Sequence, residues 1–487
     1  MTDASLTVFD GRAEVFEDEA VDNSSTYYYG AFAHDAVPNY ASGAFVTVPP
    51  NTAGEGEGEG EGEGEPSGLV EVPDPLSGEN PRYPAIAPAA PLPGAGLLDP
   101  DFHTSQVRVT SAEALRHEYA RFDPFNADQS LILLLELAAG EWRVYRTQSI
   151  PYDDPGNFWG NIAVEEPRWD PVVPQLLWGI DGFRLVNVHL DTAATTTVKD
   201  FAADPAIAPI LTQHPDLYRL TMRDEGESSW DKRYWAFLIQ GSQEDYRVRY
   251  LFTWDRETDT ILGVRELSAA ESIIDWAGMS PLGIWVIIGG DWDNGGDLNG
   301  LVLANRELTQ FHQLDYATAH ADTGLDTEGN EVLVMQGVRT DYVDLLPLDL
   351  ATTPIVGEET GYNGTNRTPL LRLYYDSESA SGLNSGVHIS CNAPGYCVVS
   401  TYIEPGLPEQ NWLDRKIVLV RLDPEAPRAW YLAQVYGTRG EYWEETHAAM
   451  TNDGRRVIWA TNWNQQVGSE RAWLMELVMP AGWNVAP

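Results

Sequence analysis

From about residue 103 onward, apolar residues come in short runs, and the three-and-four spacing of a long amphipathic helix is absent. Leu131-Ile-Leu-Leu-Leu135, Tyr234-Trp-Ala-Phe-Leu-Ile239 and Ile284-Trp-Val-Ile-Ile288 are continuously apolar, whereas Gln106-Val-Arg-Val109 and Trp142-Arg-Val-Tyr145 alternate. Both patterns predict β-strands. No run approaches the roughly 20 residues that span a bilayer as a helix.

The turns between these runs recur in one form: a polar or small segment, a tight turn, then an apolar strand. Asn126-Ala-Asp128, Asp170-Pro-Val-Val-Pro174, Trp230-Asp-Lys-Arg233, Ser280-Pro-Leu-Gly283, Asp326-Thr-Glu-Gly-Asn330, Asn392-Ala-Pro-Gly395 and Asn452-Asp-Gly454 are the members. Their spacing of about 45 to 65 residues leaves room for two more strands each, against about 40–50 for common propeller repeats. Seven four-stranded units in succession predict an all-β, seven-bladed β-propeller over residues 101–487, a fold that protects its sheet edges by radial closure. The last unit offers three strands, ending near Leu477, so His103 to Thr110 is free to supply the fourth. Two packed β-sandwich domains are the rival fold, but they would not need the sevenfold turn signal.

Residues 1–100 differ from the rest. Gly54 to Glu65 is six Gly-Glu pairs between Pro-rich stretches, a composition that self-repels and buries nothing. This predicts an irregular, partly disordered N-terminal extension with a solvated linker, in which Gly43-Ala-Phe-Val-Thr-Val48 is strand-like. The first residues carry no basic segment followed by an apolar one, so export would require a leader outside them.

Charge narrows the partners. With 74 acidic and 30 basic residues, the net charge of −44 repels DNA and RNA and argues against nucleic-acid binding. Only Lys199, Lys232 and Lys416 are lysines. An acidic, lysine-poor surface suits high salt and equally fits a genomic compositional bias. Pro394 and Gly395 turn the chain between Cys391 and Cys397, which favours a small disulfide loop outside the cytosol over two free thiols. Asn363-Gly-Thr and Asn366-Arg-Thr match the glycosylation triplet, a pattern common by chance. Gly289 to Asp297 is rich in oxygen ligands but lacks the order of a calcium loop. No nucleophile elbow, Walker loop or dinucleotide fingerprint is present.

In a propeller the residues ahead of each tight turn line the central channel. Reading back from the seven turns gives His117 with Glu118, Glu165 with Glu166, Glu225 with Glu227, Asp275, His320 with Asp322, His388, and His447. Four of the chain's 9 histidines fall in this register, three of them in consecutive blades. Converging imidazoles beside carboxylates suit a divalent transition metal or proton transfer near neutral pH. The competing reading is structural, each histidine bonding the neighbouring blade's backbone. Exposed aromatics near loops, among them Trp412, Tyr442 and Trp443, are candidates for stacking on sugars, against a role in packing between blades.

Arg116-His-Glu-Tyr-Ala-Arg-Phe-Asp-Pro-Phe-Asn-Ala-Asp128, His320-Ala-Asp-Thr-Gly324, His388-Ile-Ser390 with Val399-Ser-Thr-Tyr402, and Glu445-Thr-His-Ala-Ala-Met-Thr-Asn-Asp-Gly-Arg-Arg-Val457 with Ala460-Thr-Asn-Trp463 resemble a group of secreted bacterial propellers. In organisation the chain is similar to the oligogalacturonate and ulvan lyases over about residues 100–480. That resemblance implies a central divalent metal (Mn, Zn or Ca) on His320, His388 and His447. The glutamine that completes the metal site in oligogalacturonate lyases has no counterpart in this register. It also implies a base and a cation for a uronate substrate, with His117, Tyr119 and Arg121 as candidates. The expected function is therefore an extracellular or cell-surface propeller acting on polysaccharide, a uronate-type lyase working by β-elimination. The alternative is a non-catalytic propeller binding glycan or protein at the cell surface. The pattern carries no signal for an oligomeric state.

Overall fold

The computed structural model describes the strands Tyr27–Ala31 and Ala44–Val48 and residues 68–483, apart from 78–79, 243–246, 291–295, 317–319, 338–339, 354–365 and 374–384. The Gly-Glu repeat, Asn363 and most of the oxygen-rich stretch after Gly290 lie outside the described residues. The chain divides into a unit Met1–Glu63 and a unit Gly64–Pro487. In the first, Tyr27–Ala31 pairs antiparallel with Ala44–Val48.

The second unit is a seven-bladed β-propeller. Blades 1 to 6 run in chain order over 115–162, 165–200, 219–266, 274–315, 321–372 and 385–434, each a meander of four antiparallel strands. Blade 7 takes Ala449–Met450, Arg456–Thr461 and Trp473–Val478 from the end of the chain. Its fourth strand is Ser105–Arg108, paired with Met475 to Leu477, as the strand count of the last repeat required. Two further pieces of the stretch before residue 101 lie on the propeller. Val70–Glu71 adds a fifth strand to blade 6 and Gly96–Leu98 a fifth to blade 7.

The continuously apolar runs are the second strands of the blades, and their two-residue period explains why both faces are apolar. In Leu131–Glu136, Ile132 and Leu134 pack against blade 7, while Leu131 and Leu133 pack against blade 2. Trp235, Phe237 and Ile239 meet blade 2, while Ala236 and Leu238 meet blade 4. Val332 and Val334 meet blade 6, while Leu333 and Met335 meet blade 4. Blades 6 and 7 are joined through Val398, Leu419, Trp459 and Met475. Apolar clusters thus fill every junction between neighbouring blades.

One junction also carries a buried ion pair. The Arg367 guanidinium of blade 5 donates to Asp315 of blade 4 at 2.7 Å and to the Leu314 carbonyl. Where blades 3 and 4 meet near the axis, Gly226 lets the backbones close up; a Cβ there would lie 2.0 Å from the Ala277 carbonyl oxygen.

Candidate metal centre

The innermost strands hold the three histidines on one axis. His320 immediately precedes Ala321–Leu325 of blade 5, and His388 lies within Ser385–Ser390 of blade 6. His447 precedes Ala449–Met450 of blade 7, with a left-handed φ of 42°. The His320 and His388 rings stack with centroids 4.2 Å apart, and His447 meets His388 edge-on at 4.0 Å. Sequence places these residues far apart; the radial sheets bring them together.

The fourth member is Glu445. Its Oε2 accepts from His388 Nε2 at 2.6 Å and from His447 Nε2 at 3.3 Å. Its Oε1 is ion-paired with Arg439 at 2.9 Å. Ligand atoms of His388, Glu445 and His447 all lie within 4.8 Å of one another. Glu445 stands two residues before His447, close enough along the chain for the two side chains to meet. That spacing is the one local mark of Glu445 in the sequence.

The donor set fits a divalent transition metal. Burial, reinforced by neighbouring imidazoles and Arg116, holds His388 and His447 well below the ordinary histidine range, so both rings are neutral. His388 Nδ1 and His447 Nδ1 are buried without hydrogen-bond partners. His320 donates from Nδ1 to the Val387 carbonyl, which fixes its tautomer and leaves Nε2 as the basic nitrogen. Burial lifts Glu445 to about 7, against the pull of Arg439 and Arg116. Two or three neutral imidazoles with one carboxylate are hard-to-borderline ligands suited to Mn, Fe or Zn.

The remaining candidates take other positions. His117 donates from Nε2 to the His447 carbonyl at 2.5 Å, fixing the backbone of that residue. Tyr119 lies 5.4 Å from the His388 ring and 4.9 Å from that of His447, and it is 5% exposed. Arg121 is 3% exposed; it donates to the Ala321 and Glu225 carbonyls and lies over the Trp276 ring. All three residues expected to meet substrate are therefore interior channel residues. Tyr442 is 41% exposed and its ring is 5.2 Å from His447, with Trp443 half-buried beside it. Trp412 belongs to the core between blades 5 and 6 at 1% exposure, so its ring meets no ligand from solvent.

Deeper in the channel, Arg168 pairs with Glu118 at 2.8 Å and donates to the Asp224 carbonyl. Asp322 accepts from the Cys391 N–H at 2.6 Å, and burial raises it to about 8. Cys391 and Cys397 are joined as a disulfide across the turn of blade 6.

Two solved structures share this fold. An oligogalacturonate lyase in complex with manganese is 12% identical with a TM-score of 0.51, covering 82% of this chain and 100% of its own. An oligogalacturonate lyase from Vibrio parahaemolyticus is 10% identical with a TM-score of 0.50, covering 82% and 99%. No protein-family model matches the chain. No curated protein matches it either. At these identities the likeness is one of architecture.

Proposed function

We propose that the propeller is an extracellular, metal-dependent lyase of uronate-containing polysaccharide. The observation that carries this reading is the buried His388, Glu445 and His447 cluster with His320 stacked against it, on the axis of a propeller whose fold neighbour is an oligogalacturonate lyase in complex with manganese. His388, His447 and Glu445 would hold the ion, with His320 Nε2 as a further ligand. Bound there, a divalent ion supplies charge that stabilises a uronate carboxylate as the neighbouring C5 proton becomes acidic.

The chain's own groups define the rest. Arg439, 33% exposed by side chain and tied to Glu445 and Glu404, is the cation at the mouth that would orient the sugar carboxylate. Tyr442 offers an exposed ring to the sugar face. His117, Tyr119 and Arg121 act as positioning residues: they set the backbone of His447, the edges of two imidazoles and the channel floor. In β-elimination the C5 proton passes to a base, the C4–O bond breaks with its electrons leaving on oxygen, and a C4–C5 double bond forms.

One observation favours a non-catalytic glycan-binding propeller: all three residues first expected to react are buried. The test is ultraviolet absorbance of the unsaturated product on a panel of uronate glycans with manganese, beside elemental analysis. Product formation that is lost in Glu445→Gln with unchanged circular dichroism supports the lyase. Metal bound at one equivalent with no product on any glycan supports the non-catalytic reading.

A further inference from the structure

The innermost strands lead away from the histidines to a second enclosure. Where they turn into their neighbours, segments of blades 1, 2, 3, 6 and 7 surround a cavity of ≈ 200 Å³. Asp123, Trp169, Glu227, Trp230, Lys232 and Asn452 are among its walls, and none of them belongs to the histidine cluster. The volume is below the ~300–1,000 Å³ of sites for drug-sized ligands, which leaves room for one small ring.

Two of these groups stand out. Lys232 is 8% exposed, and its Nζ makes no hydrogen bond or ion pair with the described residues. Glu227, half-buried on the same cavity, has a carboxylate with no such partner either. An ammonium only donates and a carboxylate only accepts, and here both face the cavity and its solvent rather than a protein partner. The two attract each other electrostatically yet form no ion pair, so the cavity wall presents one donor and one acceptor to whatever enters it. Asp123 is already engaged, accepting from the Phe125 and Asn452 N–H groups.

A hydroxyl meets both needs at once, accepting from Lys232 and donating to Glu227. Charge narrows the ligand further. A cation would face Lys232 and the neighbouring Arg168, while an anion would face Glu227 and Asp123 within a chain of net charge −44. The half-buried Trp230 adds an indole wall of the kind that lies against the C–H face of a pyranose. We propose that this cavity binds a neutral pyranose, its hydroxyls bridging Glu227 and Lys232 and its ring lying on Trp230. The site is independent of the lyase reading and sits at the other end of the channel.

The test is saturation-transfer NMR on the full chain treated with EDTA, so that the metal end is silenced. D-Galactose, D-glucose, D-mannose, D-galacturonate and alanine are the separate probes. Transfer to the ring protons of a neutral hexose is expected, weakened about tenfold in Lys232→Met and abolished in Trp230→Ala. Transfer to galacturonate or alanine alone, or to none of the probes, overturns the proposal. So does hexose binding that is unchanged in Lys232→Met. Lys232→Met keeps the shape of the apolar stem and removes only the ammonium, so it carries the test if Trp230→Ala fails to fold.

Discussion

The junctions between blades and the channel they enclose are built from the same seven sheets and follow opposite rules. The junctions are apolar, filled by alternate residues of each second strand, and their stability comes from area removed from water. The channel is lined by histidine, glutamate and arginine, whose protonation is shifted toward the neutral form by burial or whose charges are paired across blades. The difference separates two tasks. The junctions make the ring, and the channel spends part of that stability on holding polar groups where water does not satisfy them.

This division is open to attack at the junctions first. Trp235 is 1% exposed and stacks on Phe237 between blades 2 and 3. Trp235→Ala is expected to cost about 3–5 kcal/mol in urea unfolding, with metal content per folded molecule unchanged. Arg367→Met strands the buried Asp315 and is expected to cost about 3 kcal/mol by the same measurement. Neither change touches the channel, so a loss of metal in the folded fraction would break the comparison.

In the channel the expected effect is on binding. Glu445→Gln should weaken manganese more than about 100-fold by isothermal titration, while the melting temperature moves little. A collapse of the fold instead would make the cluster a structural core.

The smallest change per measured step sharpens the comparison through pH. Asp344 is a fully buried acid of blade 5, hydrogen-bonded by Thr340, and burial lifts it from 3.8 to about 7. Between those values the native chain keeps a proton that the unfolded chain has released. Stability from this group is whole below the window and declines as pH rises through it, by about 1.4 kcal/mol per pH unit at most. Asp344→Asn should flatten that slope in urea titrations between pH 4 and 7.

The same contrast explains what could be read from the residues alone. Turns such as Ser280-Pro-Leu-Gly283 and strands such as Leu131–Glu136 are local patterns, and local patterns set the blade count. The seam was legible as well, because the last repeat lacked a strand and Ser105–Arg108 was left over. The histidines were legible only through their register against the turns. Glu445 had only its place two residues before His447 to mark it, since its other partner, His388, lies 57 positions away. Arg121 looked like a group waiting for substrate because the carbonyls that lock it, on Ala321 and Glu225, are 200 and 104 positions distant. Trp412 sits in a loop, where a tryptophan reads as a platform, and only the packing of blades 5 and 6 shows the ring covered.

The seam gives the ring a property that a linear array of repeats lacks. A stacked solenoid has two terminal modules that fray at little cost. Here each sheet is wedged between two others, and the chain's beginning and end zip together in one of them. The weakest point of the circle is therefore that zipper. Clipping the chain between Thr110 and Leu115 would leave the segment before the cut held on blades 6 and 7 by strand pairing and packing alone, and its release would unseat the whole circle in one cooperative step.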